Sequence, residues 1–349
     1  MPIDYPLGWA GPREKVLDRG ATAVAHPNIA LIKYWGKRDE RLVIPYVDSL
    51  SMTLNIFPTV TTVRLVPEGQ ADTVMLDGTS ASGEQRQRVI AFLDLVREMA
   101  GRTEPAAVDT RNSVPTAAGL ASSASGFAAL AVAGAAAYGL ALDPTALSRL
   151  ARRGSASAAR SIFGAFAICY AGRGVGAAAD LSSYAEPVPV AKFDPALVIA
   201  MVNAGPKPVS SRAAMRRTVG TSPLYRSWAL SSKADLSDMQ AALQRGDLEA
   251  VGEIAERNAL GMHATMLAAR PAVRYLSPAT VAVLDSVLQL RRDGFAAYAT
   301  MDAGPNVKVL CHQADAARVA DTVHGAAAGC SVVTARRGPG ARLLIGAEQ

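Results

Sequence analysis

Apolar positions along this chain switch between a period near two and a period near 3.6, and the switches mark out its elements. Ala21–Ala25 reads as a strand ending in His26-Pro27-Asn28, and Ile29 to Lys37 continues as an apolar and basic stretch. Ser51–Ile56 and Thr59–Val66 alternate and are rich in β-branched residues, which predicts two strands separated at Pro58. Glu84–Ala100 predicts an amphipathic helix with Val89, Phe92, Leu93 and Val96 on one face. A strand over Ala106–Thr110 and an Ala-rich helix over Ala121–Tyr138 come next. Asp143-Pro144 then opens a further helix, the Asp as cap and the Pro in the first helical position. Ile162–Tyr170 predicts a strand.

Pro187, Pro189 and Pro195 punctuate a crossover, after which Leu197–Val202 begins a new apolar strand. From Ser211 to Arg292 the pattern is mainly helical, with runs at Lys233–Arg245, Leu248–Ala269 and Pro278–Arg292. Strands follow at Ala296–Met301, Val307–His312, Ser331–Thr334 and Leu343–Ile345, with a helix over Ala314–Ala327 between the middle two. Clustered strands with helices between them in both halves predict an α+β fold of mixed and antiparallel sheets packed with helices. The expected domains are 21–195 and 196–349, after a loose Pro-, Gly- and charge-rich extension over 1–20.

Composition narrows the function. A chain of 349 residues can hold two cores, and no run of about 18 residues is apolar enough to span a membrane. No charged-then-apolar leader opens the chain, and Cys169, Cys311 and Cys330 are far apart and odd in number. Buried thiols in a reducing cytoplasm are the expectation. A net charge of +6 favours an anionic partner. Basic residues are dispersed in pairs such as Arg152-Arg153 and Arg216-Arg217, and aromatics are only 5%. Small phosphorylated anions therefore fit better than nucleic acid.

The stretch Asn112–Gly126 carries the first chemistry. Its small residues lie between a strand and a helix N-terminus, where free N–H groups and the helix dipole cradle phosphate. Gly119 permits close backbone approach, and Ser122, Ser123 and Ser125 offer hydroxyls to phosphate or its metal ion. A Ser-capped helix packing alanines on a sheet would read the same way. A Gly-x4-Gly-Lys P-loop is excluded, since Gly36-Lys37 runs into Arg38. Gly172 to Ala177 formally fits a dinucleotide fingerprint, but no sustained helix follows, so a loop is expected.

Elsewhere Lys33, Lys37 and Arg38 gather around Tyr34 and Trp35, and two lysines four apart on one side of a helical turn repel unless an anion sits between them. Arg160, with Ser155 and Ser157 nearby, suits a carboxylate or phosphate. Ser210 and Ser211 cap a helix whose first turn carries Arg212, an unfavourable place for a cation without a bound anion. Asp302, on Asp-Ala-Gly-Pro-Asn, is either a turn former or a base at a strand end. The four histidines lack metal-ligand spacing, and no Gly-x-Ser-x-Gly elbow is present.

Five pieces, in order, resemble the mevalonate diphosphate decarboxylases of the GHMP kinase superfamily. They are Asn28–Asp39, Pro115–Gly126, Gly154–Ser161, Val209–Arg212 and Met301–Asn306. The resemblance implies that ATP phosphorylates the tertiary 3-hydroxyl of mevalonate 5-diphosphate, after which phosphate and carbon dioxide leave to give isopentenyl diphosphate. It implies that Asp302 takes or orients the hydroxyl proton, Arg160 holds the carboxylate, Lys33 neutralises charge at the reacting hydroxyl and Asn28 orients these groups. Tyr34, Lys37, Ser155, Ser157, Ser211 and Arg212 match substrate anchors. Pro115, Ala118, Gly119, Leu120, Ala121, Ser122, Ser123 and Ser125 match the ATP-phosphate loop, with magnesium near Ser122. The resemblance also implies a homodimer. A monophosphate-specific decarboxylase and a kinase that stops at the phosphorylated product remain open alternatives, as does, from another class, a non-catalytic relative that binds nucleic acid or protein.

Overall fold

The structure, a computed structural model, describes residues 20–113, 122–190, 193–202 and 209–344. The first half runs β1 (Ala21–Ala25), β2 (Asn28–Ile32), β3 (Lys37–Asp39), β4 (Ile44–Pro45), β5 (Ser49–Thr53), β6 (Thr59–Leu65), β7 (Thr73–Leu76) and β8 (Thr79–Ser80). It continues through α1 (Gly83–Ala100), β9 (Ala106–Asn112), α2 (Ser122–Ala137), α3 (Pro144–Gly154), α4 (Ala158–Ser161), β10 (Phe166–Cys169), α5 (Gly176–Ser182) and β11 (Ala185–Pro187). The second half is β12 (Ala196–Met201), α6 (Ser211–Thr221), α7 (Tyr225–Arg245), α8 (Leu248–Leu267), α9 (Pro278–Arg292), β13 (Ala297–Met301), β14 (Val307–Cys311), α10 (Ala316–Ala326), β15 (Ser331–Ala335) and β16 (Arg342–Leu343).

A six-stranded sheet, ordered β16-β1-β6-β9-β7-β8, is mixed because β7 runs parallel to β9. Two four-stranded sheets, β11-β10-β5-β2 and β13-β14-β12-β15, are antiparallel. The two-domain α+β expectation holds. One stretch moves: β16, expected within 196–349, pairs Leu343 with Ala23 and so joins the first sheet. Gly338 makes that return possible, since a Cβ there would lie 1.9 Å from the Leu54 carbonyl oxygen.

Helix α2 buries its small residues against β1, β6 and β9, where alanines let helix and sheet approach closely. The core below joins the halves: Leu31, Leu50 and Phe166 pack with Leu197, Leu236 and Val251. Asp143 accepts from the Ala146 N–H and Pro144 opens α3, as its sequence predicts.

Several local expectations are corrected. Ile29 to Lys37 is not a helical turn, because β2 is buried at all five positions and Gly36 (φ 94°) turns the chain before Lys37. Residues 162–165 do not join β10, since Ala165 sits at φ 53° and Gly164 packs on Gly340. A seven-residue helix, α5, follows the Gly172 loop, where only loop was expected. Helix α7 begins at Tyr225, eight residues before Lys233, and β7 and β8 lacked any clear alternating signal.

Candidate active site

Lys33, Asp302, Arg160 and Asn28, far apart in sequence, meet in one cleft of about 690 Å³. Lys33 leaves the end of β2, where its Nζ donates to the Ala30 carbonyl at 2.7 Å and to Asp302 Oδ1 at 2.8 Å. Asp302 starts the turn between β13 and β14, and its Oδ2 lies 3.3 Å from Lys308 Nζ. Both ammoniums are buried, yet the Asp302 side chain is 32% exposed, so its carboxylate keeps one edge toward the cleft.

Burial alone would raise the Asp302 carboxyl, but Lys33 and Lys308 outweigh it and hold it well below the usual carboxylate range. Burial lowers Lys33 to about 8, with repulsion from Lys308 and Arg160 working against the attraction of Asp302. His263, on α8, approaches the Asp302 carbonyl at 3.2 Å. That carbonyl can only accept, so Nε2 carries the proton. Burial, then Lys33, lowers His263 to about 4, which keeps it neutral near pH 7.

Arg160 is fixed from α4. Its Nη1 donates to Ser49 Oγ at 2.6 Å and its Nη2 to Asn28 Oδ1 at 3.3 Å, while Nε is buried without a hydrogen-bond partner among the described residues. Asn28 is itself held, donating to the Ser157 carbonyl at 2.9 Å and Ser161 Oγ at 2.8 Å. Among the described residues Arg160 has no salt bridge. Three buried cations thus face one carboxylate, an imbalance that an anionic ligand would offset.

The rim supplies further polar groups. Tyr34 lines the cleft, its hydroxyl buried without a partner among the described residues and its pKa pushed up chiefly by burial. Lys37 pairs with Glu40 at 2.7 Å, and Arg212 with Glu84 at 2.8 Å. Ser155 Oγ stands 3.1 Å from Ser157 Oγ and 3.3 Å from Ser123 Oγ. Ser210 caps α6 through the Ala213 N–H, leaving Ser211 and Arg212 at the helix start facing the cleft. Ala91, Phe92 and Leu95 of α1 form an apolar wall with Phe127. Gly154 is required there, since a Cβ would lie 2.0 Å from the Phe127 ring.

Other expected residues fall elsewhere. Pro115, Ala118, Gly119, Leu120 and Ala121 lie outside the described residues. Ser123 lines the cleft, but Ser122 is exposed and does not. Ser125 turns inward: it is fully buried and accepts from Thr59 Oγ1 at 2.7 Å, because its place in the first turn of α2 faces the sheet. Arg38 also leaves the cluster, donating to the carbonyls of Ala171 and Gly172 at 3.0 and 2.9 Å.

Lys308 is the residue that sequence reading passed over, although a lone Lys in Val307–Cys311, a strand buried at every position, was its signal. Arg41, Arg88, Arg153 and Arg216 also line the cleft, but their sequence positions look like ordinary surface. Among the described residues no group of three or more His, Cys, Asp or Glu could hold a metal ion. The cleft acids Glu40, Glu84 and Asp302 are each ion-paired. Such a donor set suits magnesium carried on nucleotide phosphates rather than a cage of protein ligands.

Two domains of mixed sheets and helices, with a cationic cleft lined by Ser123 at one helix start and by a strand-end carboxylate, place the chain in the class of the GHMP kinase superfamily. The family model for the diphosphomevalonate decarboxylase-like N-terminal domain matches residues 25–185, and that for the mevalonate 5-diphosphate decarboxylase C-terminal domain matches 197–336. The chain belongs to the diphosphomevalonate decarboxylase family. It is similar to a structure described as MDDEF in complex with MVAPP, AMPPCP and magnesium: 44% identity, TM-score 0.88, 94% of this chain and 99% of that one. The mevalonate diphosphate decarboxylase from Enterococcus faecalis gives 43% identity and TM-score 0.87 over 94% and 99%. The phosphomevalonate decarboxylase of Haloferax volcanii is 34% identical over 90% of this chain and 94% of its own. No helix among the described residues is long and apolar enough to cross a membrane.

Proposed function

We propose that this enzyme converts mevalonate 5-diphosphate to isopentenyl diphosphate, carbon dioxide, ADP and phosphate. The observation that carries the reading is the carboxylate of Asp302, gripped by two buried ammoniums and open toward a cleft also lined by Arg160, a guanidinium with no salt bridge among the described residues. A tertiary alkoxide leaves poorly and phosphate leaves well, so ATP first converts the 3-hydroxyl to a phosphate ester. Loss of that phosphate draws electrons from the bond to the carboxylate, which departs as carbon dioxide and leaves an alkene.

Asp302 accepts the hydrogen bond of the 3-hydroxyl and aims its oxygen at the incoming phosphoryl group. Lys33 and the second cation beyond it offset the negative charge that gathers there. Arg160 holds the substrate carboxylate until it leaves, with Asn28 fixing the guanidinium. Tyr34, Lys37, Ser155, Ser157, Ser211 and Arg212 anchor the diphosphate and carboxylate from the rim. Ser123 reaches the ATP phosphates from the start of α2, and the apolar wall with Phe127 suits the nucleotide base. Magnesium, when bound, neutralises the ATP phosphates. The three free, buried cysteines fit a cytoplasmic enzyme, and the family resemblance favours a homodimer.

Relatives acting on the mono- and diphosphate are both similar over most of the chain, and the several rim cations favour the more highly charged substrate. Incubation with ATP, magnesium and each form, with ADP and carbon dioxide read together, tests the reading. The diphosphate should yield both products in equal amounts and turn over faster than the monophosphate. ADP without carbon dioxide would leave a plain kinase.

A further inference from the structure

We propose that Lys308 is a positioning residue for the reaction: it anchors Asp302 Oδ2 from behind, so that Oδ1 stays on Lys33 and the open edge of the carboxylate is aimed at the substrate hydroxyl. The inference rests on the reading that Asp302 acts on that hydroxyl. Lys308 sits in β14, opposite Ile199 on one neighbouring strand and Thr300 on the other. It is 1% exposed and does not line the cleft. Its Nζ lies 3.3 Å from Asp302 Oδ2 and 3.4 Å from the Asn306 carbonyl, both in the turn that β14 leaves.

An ammonium in a fully buried strand is costly, and an apolar residue would serve the sheet better. What the lysine adds is a second anchor. With Lys33 alone the carboxylate could rotate about its last torsion; with ammoniums from β14 and from the end of β2 on its two oxygens, it has one orientation. The groups facing Lys33 are Asp302 and Lys308 from the β13–β14 hairpin, Arg160 from α4 and His263 from α8. Removing the Lys308 charge therefore relieves repulsion on Lys33 as well as freeing Asp302.

The test uses Lys308→Met and Lys308→Arg in the full-length enzyme with ATP, magnesium and mevalonate 5-diphosphate. Lys308→Met should lower kcat on the order of a hundredfold, the cost of misplacing a reacting group by about an ångström, with KM nearly unchanged. The alkaline limb of kcat/KM should also move to higher pH, because the Lys33 ammonium is then easier to keep. Lys308→Arg should recover part of kcat and return the limb toward its original position. A folded Lys308→Met enzyme with unchanged kcat overturns the proposal. So does a loss that only tracks the folded fraction in thermal melts while the limb stays in place. Asp302→Asn, run beside it, separates the two ideas: full turnover there sinks the reading of Asp302 itself, whereas an inactive Asp302→Asn with a normal Lys308→Met sinks only the positioning role.

Discussion

Asp180 and Asp302 both sit among several cations, and set side by side they show what separates a structural charge cluster from a reactive one. Asp180, on α5, takes Arg149 Nη2 at 3.1 Å and Arg152 Nη2 at 2.5 Å, with Arg153 Nη1 at 3.8 Å. Its side chain is only 5% exposed. Arg152 continues to the carbonyls of Ser183 at 2.9 Å and of Leu42, tying α3 and α5 to the β3–β4 hairpin. Every oxygen of Asp180 is consumed within the protein. Asp302 takes two ammoniums but keeps a free edge, and Arg160, which lines the same cleft, has no salt bridge among the described residues. Counting cations does not find a site; an open edge and an unbalanced charge do.

The comparison predicts that the two carboxylates fail differently. Asp302→Asn should cost on the order of 10²- to 10⁴-fold in kcat, the range for a group acting on a proton in the transition state, while circular dichroism and melting stay near wild type. Asp180→Asn should do the reverse, lowering stability by about 3–5 kcal/mol because the two buried guanidiniums of Arg149 and Arg152 lose their counter-ion, with kcat per folded molecule preserved. Chemical denaturation and active-site titration would check it. If Asp180→Asn left stability intact and cut kcat, the distinction would collapse.

Smaller effects sharpen the contrast. Lys33, lowered to about 8, is charged below that pH and neutral above it. Activity that depends on its ammonium should therefore fall as pH rises through 8, and the fall should vanish in Lys33→Arg, whatever rate remains. Least of all, Glu84→Gln breaks an exposed pair with Arg212 and should change stability by less than about 1 kcal/mol. A larger loss in melting experiments would show that the rim pair is part of the scaffold.

Much of this was legible in the sequence because its signals are local. The Asp143-Pro144 helix start, the Pro278–Arg292 helix and the Asp302 turn each depend on residues a few positions apart. Lys33 and Lys37 misled because a five-residue apolar strand, buried at every position, loses the alternation that would mark it. Ser125 misled because a small polar residue reads alike whether it faces a ligand or, as here, the sheet through Thr59. The return of β16 to β1 was invisible, since a two-residue pairing across most of the chain leaves no periodic trace. Lys308 was passed over because a lone lysine in an apolar strand has no local partner in the sequence, and only the folded hairpin brings it to Asp302.

The most direct test is a crystal structure with mevalonate 5-diphosphate, magnesium and a non-hydrolysable ATP analogue. The account predicts the 3-hydroxyl within hydrogen-bond distance of Asp302, the substrate carboxylate on Arg160, and the terminal phosphate of the nucleotide in line with that hydroxyl. A substrate bound with its hydroxyl turned away from Asp302, and its carboxylate on another cation, would contradict it.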